Sequence, residues 1–216
     1  MNKYLLAYID EEAEDREAFE LYFDEYENEF EVKFIEPGGK TMSQIIDEII
    51  DLKPDMVIVD YYLKNKDATV LENGDALMQR ITDRKPLLPV VMLTSFMKNA
   101  ARSFLPPEKR KSILEKSLLN DVGDTELKNE VVDYIMYYRD LVQKYKEEFA
   151  GLQEKAEKSE DEKARMIELD MILEEAVDRQ SAIKSEHKTD EKLGALKTLI
   201  TETKELLKEF KKDPDA

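Results

Sequence analysis

The stretch MVIVDYYLK, residues 56–64, runs four apolar residues, Met56 to Val59, straight into a carboxylate, Asp60. Continuous rather than alternating apolarity marks a strand buried on both faces, the condition of a central strand in a parallel sheet. Pro54-Asp55 opens this strand and closes the helical segment TMSQIIDEIIDL (41–52), for which Thr41 supplies an N-cap. LPVVMLTS (88–95) carries a second continuous run, VVML. KYLLAYID (3–10), EVKFIEP (31–37) and KSILEKS (111–117) complete a set of five strands. The second of these alternates and stops at the turn Pro37-Gly38-Gly39. Helical patterns lie between the strands. EEAEDREAFELYFDEYENEF (11–30) places Phe19, Tyr22, Phe23, Tyr26 and Phe30 at spacings of three and four, one apolar stripe on an acidic helix. NGDALMQRITD (73–83) and a segment around MKNAARSFL (97–105) supply two more. Strands alternating with helices predict a parallel sheet covered on both faces.

From about residue 124 the pattern changes. Strands end, proline is absent until Pro214, and Glu and Lys dominate. Three heptad-like seams follow: Leu127, Val131, Tyr134, Tyr138, Leu141, Tyr145, Phe149, Leu152 and Ala156; then Met166, Leu169, Leu173, Ala176 and Ile183; then Leu193, Leu196, Ile200, Leu207 and Phe210. Breaks fall near EKSEDEK (157–163) and SEHKTDEK (185–192). The expected division is therefore 1–123, with its last helix running on to about 145, and 124–216, a long-helix hairpin or coiled coil.

The 216 residues carry a formal net charge of −17, and 38% of them are charged. Such a surface repels phosphate backbones and anionic lipid, so neither nucleic acid nor membrane is an expected partner. Without cysteine there is no disulfide frame, thiolate metal site or cysteine nucleophile. The N-terminus, MNKYLLAYIDEE, reaches acids too soon for a signal peptide, and no apolar stretch approaches the roughly 18 residues of a membrane span. A cytoplasmic protein is expected.

In a doubly wound sheet, functional groups collect beyond the carboxyl ends of the strands. Those ends carry Asp10, Glu11 and Glu12 on the first strand, Asp60 on the third, Thr94 and Ser95 on the fourth, and Lys116 on the fifth. Clustered carboxylates repel one another unless a cation joins them, and oxygen ligands without His or Cys favour Mg²⁺ over zinc. A carboxylate beside Mg²⁺ can act as a nucleophile towards a phosphoryl group. Lys116 and Thr94 can then supply a cation and a hydroxyl to the new phosphate oxygens.

With IDEE after the first strand, PDMVIVDYYL around the third, LPVVMLTS at the fourth and ILEKS at the fifth, residues 1 to about 145 resemble the response-regulator receiver domain of two-component signalling. The resemblance implies a flavodoxin-like, doubly wound five-stranded parallel sheet. It implies Asp60 as phosphoacceptor, and Asp10, Glu11, Asp60 and the backbone carbonyl of Tyr62 as Mg²⁺ ligands. Thr94 would be the switch hydroxyl and Lys116 the phosphate-binding cation. A histidine kinase or phosphotransfer protein would be the donor, and the chain would not be an enzyme in its own right. Output would run through the C-terminal helices to a downstream protein partner or a second copy, as a homodimer.

Three positions depart from the family pattern. Glu11 stands for the usual second aspartate and lengthens the metal arm by one methylene. Ser117 follows Lys116 where the family usually has proline, which removes the usual basis for a cis peptide. Ile113 occupies the place of the switch Tyr or Phe. The loop KNKDATVLEN (64–73) is longer than usual and is expected to act as a lid or partner contact. These departures define the competing reading, a pseudo-receiver scaffold assembling constitutively through its helices. An unrelated flavin or nucleotide binder is disfavoured, because DEEAEDRE (10–17) offers no glycine-rich phosphate turn. The tyrosines of DYIMYYRDLVQKY (133–145) read as helix packing, the acids of EEAEDRE (11–17) as a solvated helix face, and His187 as an exposed helix-end residue.

Overall fold

The computed structural model describes residues 3–63, 73–101, 112–120 and 123–178. Five strands form one sheet: β1 Tyr4–Ile9, β2 Phe30–Phe34, β3 Met56–Val59, β4 Val90–Thr94 and β5 Ile113–Glu115. All pairings are parallel, in the order β2-β1-β3-β4-β5. This is the flavodoxin-like order, with its switch point between β1 and β3.

Each strand sends alternate residues to opposite faces, and the two faces build two cores. Ala7, Ile9, Val57, Val59, Val90 and Met92 pack with Ile45 and Ile49 of α2 (Met42–Leu52) and Leu77, Met78 and Ile81 of α3 (Gly74–Arg84). Leu6, Tyr8, Met56, Ile58, Val91 and Leu93 pack with Phe19, Tyr22 and Phe23 of α1 (Ala13–Asp24) and Leu127, Val131 and Ile135 of α5 (Glu126–Glu154). A short α4 (Met97–Ala100) follows β4. Thr41 caps α2 through a capping box with Gln44, satisfying two donors reciprocally.

The aromatic stripe needs a correction. The expected helix to Phe30 ends at Asp24, and Phe30 is the first residue of β2. No glycine or proline marks the stop. The three-four rhythm persists because the turn returns Tyr26 and Phe30 to the same cluster: Tyr22 and Tyr26 ring centroids lie 5.8 Å apart, and Phe23 and Phe30 5.2 Å apart. One periodicity thus spans a helix, a turn and a strand.

One compact unit runs to Gln143; the helical residues Lys144–Glu174 lie in a second. Helix α6 (Glu160–Asp178), which lies in the second as far as Glu174, follows the end of α5 after five residues. Ser159 and Glu162 form its capping box. Arg165 forks onto Glu148 of α5 with bonds of 2.7 and 2.9 Å. The first expected break, in EKSEDEK, falls at this junction. The second break, the seam from Leu193 to Phe210, His187 and most of the loop after Asp60 lie outside the described residues. Among the described residues no helix is long and apolar enough to cross a membrane.

Candidate functional site

Asp10 and Asp60 follow β1 and β3, adjacent strands in register at Ile9 and Val59, so both carboxylates leave the same edge of the sheet at its switch point. Asp10 is fully buried and Asp60 is 2% exposed. Asp10, Glu11 and Asp60 each bring a carboxylate oxygen within 4.8 Å of the others. Lys116, just past β5, reaches across β4 to Asp60 after β3 and on to Asp10 after β1. Its Nζ donates to Asp10 Oδ2 at 2.7 Å and lies 3.1 Å from Asp60 Oδ1. The second contact is an ion pair outside hydrogen-bonding alignment, so Asp60 Oδ1 is buried without a hydrogen-bond partner. Asp60 Oδ2 is held by the Tyr62 backbone N–H at 2.7 Å. Thr94, fully buried at the end of β4, pairs in register with Glu115, the residue before Lys116, and its hydroxyl accepts from the Phe96 N–H at 3.1 Å.

The expected residues Asp10, Glu11, Asp60 and Lys116 therefore converge, with Thr94 on the same edge. Tyr62 is tied to Asp60 through its N–H. Ile113 is buried in the core, and no peptide bond among the described residues is cis.

Three further residues shape the site. Tyr8 donates its hydroxyl to Asp10 Oδ2 at 2.6 Å, and its ring stacks on Phe19 at 4.1 Å. It lies two residues before Asp10, on the same strand face. Burial first, then the Asp10 carboxylate, pushes the Tyr8 hydroxyl far above the ordinary tyrosine range, so it stays a donor. Asp15 accepts from Lys116 Nζ at 2.5 Å, an exception to the solvated helix face on which Glu12, Glu14 and Glu17 are exposed as expected. The signal was present: Asp15 stands four residues before Phe19, so the inward stripe extends back to it. Gly74 opens α3 against the backbone of Asp60; its N–H donates to the Tyr61 carbonyl at 2.8 Å. A Cβ there would fall 1.9 Å from the Asp60 carbonyl oxygen.

The electrostatics follow from burial. Lys116 is held charged: burial alone would lower its pKa, but Asp10, Asp15 and Asp60 together raise it. Burial outweighs the pull of Lys116 on Asp60 and leaves that carboxyl above the ordinary range. Glu11 is pushed up to about 7, mainly by burial, with Asp10 and Asp60 adding to it; its Oε2 is also buried without a partner. Two orphaned oxygens on hard carboxylate ligands fit a Mg²⁺-sized cation, which would satisfy both.

Glu11 gives a pH prediction. Its carboxyl rises on folding from 4.5 to about 7, so its contribution favours the fold below 4.5 and is lost as pH rises through 7. The full shift corresponds to about 3 kcal/mol, which solvent screening at this partly exposed side chain reduces to about 1–2 kcal/mol. Urea melts in EDTA across this range should show stability falling with pH, and Glu11→Gln should flatten that fall. An unchanged slope in the variant would count against Glu11 as its source.

No protein-family model and no curated protein matches the sequence. Three solved structures to which the fold is similar are receiver domains. One is the signal receiver domain of an HD domain-containing protein from Pseudomonas fluorescens Pf-5, with 13% identity over 66% of this chain and 94% of that chain, at a TM-score of 0.49. Another is a response regulator receiver domain (CheY-like) from Methylobacillus flagellatus, with 15% identity over 62% and 99%, at 0.42. The third is the N-terminal domain of a response regulator/sensory box/GGDEF 3-domain protein from Carboxydothermus hydrogenoformans, with 16% identity over 64% and 98%, at 0.42. The strand order β2-β1-β3-β4-β5, wholly parallel, decides the fold on its own. The chain has the flavodoxin-like fold. In this sheet the acids stand at the switch point, where such sheets place their ligands.

Proposed function

We propose that the chain is a response-regulator-like signalling protein that accepts a phosphoryl group on Asp60 from a histidine kinase or phosphotransfer protein. The observation that carries this reading is Asp60 Oδ1: a buried carboxylate oxygen without a hydrogen-bond partner, 3.1 Å from the Lys116 ammonium and grouped with Asp10 and Glu11. Asp10, Glu11, Asp60 and the Tyr62 carbonyl would hold Mg²⁺, which would supply charge neutralisation for the transfer. Asp60 provides the attacking oxygen, and the Tyr62 N–H fixes its other oxygen in place. Lys116 then faces the added phosphate oxygens, and the Thr94 hydroxyl, which accepts from the Phe96 N–H, donates its own proton to one of them. The charge change biases the receiver unit, 1–123 with its last helix to about 145, between two arrangements. The helices of 124–216 carry the output to a protein partner or a second copy in the cytoplasm, not to nucleic acid. The chain turns over no substrate of its own.

Intact-protein mass after incubation with Mg²⁺ and acetyl phosphate tests this, with Asp60→Asn alongside. The parent should gain one phosphate and the variant none. No gain in a folded parent, with the cognate type of donor also tried, would favour the pseudo-receiver scaffold. Buried Ile113 in place of a swinging aromatic is the observation on that side.

A further inference from the structure

Lys116 is shared unevenly among three carboxylates. Its Nζ donates to Asp15 Oδ2 at 2.5 Å and Asp10 Oδ2 at 2.7 Å, while Asp60 Oδ1 at 3.1 Å lies out of line. Asp10 and Asp60 belong to the oxygen set a divalent cation would use; Asp15 does not. The ammonium and a cation therefore compete for the same two side chains, and they also repel each other. Lys116 is only 8% exposed. Withdrawn from Asp10 and Asp60 with nothing in exchange, it would be a buried, unpaired charge, which is strongly destabilising.

We infer that Asp15 is a second seat for the Lys116 ammonium, a positioning residue that lets Lys116 release Asp10 and Asp60 to a divalent cation while remaining paired. The inference rests on the Mg²⁺-dependent reading above. Asp15 sits in the first turn of α1, 40% exposed, where its charge is cheap to keep in both states. A cavity of about 220 Å³, lined by Asp15, Ser95, Lys116 and Asn120 among others, opens beside this pair. Asp10 does not collapse when the ammonium leaves. The Tyr8 hydroxyl still holds its Oδ2 at 2.6 Å, and the Glu12 N–H its Oδ1 at 2.9 Å.

The test is a double-mutant cycle read by calorimetric titration of the full chain with MgCl₂, which requires no phosphoryl transfer. Asp15→Asn should weaken Mg²⁺ binding about fivefold, because the lysine then stays on Asp10 and Asp60. Lys116→Met should bind Mg²⁺ more tightly than the parent. Adding Asp15→Asn to Lys116→Met should change affinity by less than about twofold, within the additivity error of such cycles. Asp15→Glu should restore parental binding. Lys116→Gln replaces the methionine variant if the latter does not give a cooperative melt. Equal weakening by Asp15→Asn in both backgrounds would mean a general loss of negative charge and would overturn the inference, as would parental affinity in Asp15→Asn alone. A folded parent that takes up no Mg²⁺ would remove the metal reading and the inference together; a parent that binds, with a flat cycle, removes only the inference.

Discussion

Lys116→Met should cost the sheet-containing unit about 3 kcal/mol or more at pH 7, the size expected when one partner of a buried ion pair is removed. The lysine is the cation facing two carboxylates that are almost wholly buried, Asp10 and Asp60. Without it, both acids and the orphaned Glu11 Oε2 sit together, and the guanidinium of Arg16 nearby is spent on the Asp10 backbone carbonyl and Glu36. The fold can relieve this by keeping a carboxyl protonated. The sign follows from that. A carboxyl with a raised folded pKa stabilises at low pH and loses that contribution as pH climbs through the raised value. Asp60 is already raised with Lys116 present, and removing the lysine raises it further. The gap between variant and parent should therefore be small at about pH 5 and widest at about pH 8. Melting temperatures at pH 7 should differ by about 6–12 °C for a unit of this size. Saturating Mg²⁺ should narrow the gap, since a divalent cation replaces the missing charge. A gap below about 1 kcal/mol at every pH would mean that the carboxylates are relieved some other way.

Gly74→Ala should be comparably costly, for a different reason. The added Cβ would lie 1.9 Å from the Asp60 carbonyl oxygen and 2.9 Å from Val59 Cγ1. The first obstacle is backbone, so no side-chain rotation relieves it. Helix α3 must back away, which stretches the Gly74 N–H bond to Tyr61 and drags the segment carrying Asp60. Overpacking of this severity costs about 3 kcal/mol. It should also lower phosphate uptake from acetyl phosphate in whatever fraction remains folded. Gly151→Ala is the control. Gly151 lies in α5 with nothing within 4 Å of a new Cβ, so alanine there should stabilise by about 0.5–1 kcal/mol. Similar melting curves for the two variants would disprove the close approach at Gly74.

The sheet and its functional edge could be read from local patterns along the chain. Continuous apolar runs at Met56–Val59 and Val90–Leu93 have one economical fate, burial on both faces, and an acid or hydroxyl just past each run marks the same edge. The gathering of Asp10, Glu11, Asp60, Thr94 and Lys116 at one edge was legible for that reason: a strand end is a local property. The end of α1 was not legible, because its apolar rhythm continued through a turn into β2. Asp15, Tyr8 and Gly74 act through partners at separations of 101, 2 and 14 residues. The spacing of Asp15 to Phe19 marks its face of the helix, but only the packing of α1 on the sheet, fixed by Phe19, Tyr22 and Phe23, carries it to Lys116. Gly74 looks like an ordinary loop-to-helix glycine until α3 is docked on Asp60. Periodicity reports which face of an element is buried; which charge it meets there depends on the docking of separate elements, and that was decided by the tertiary structure alone.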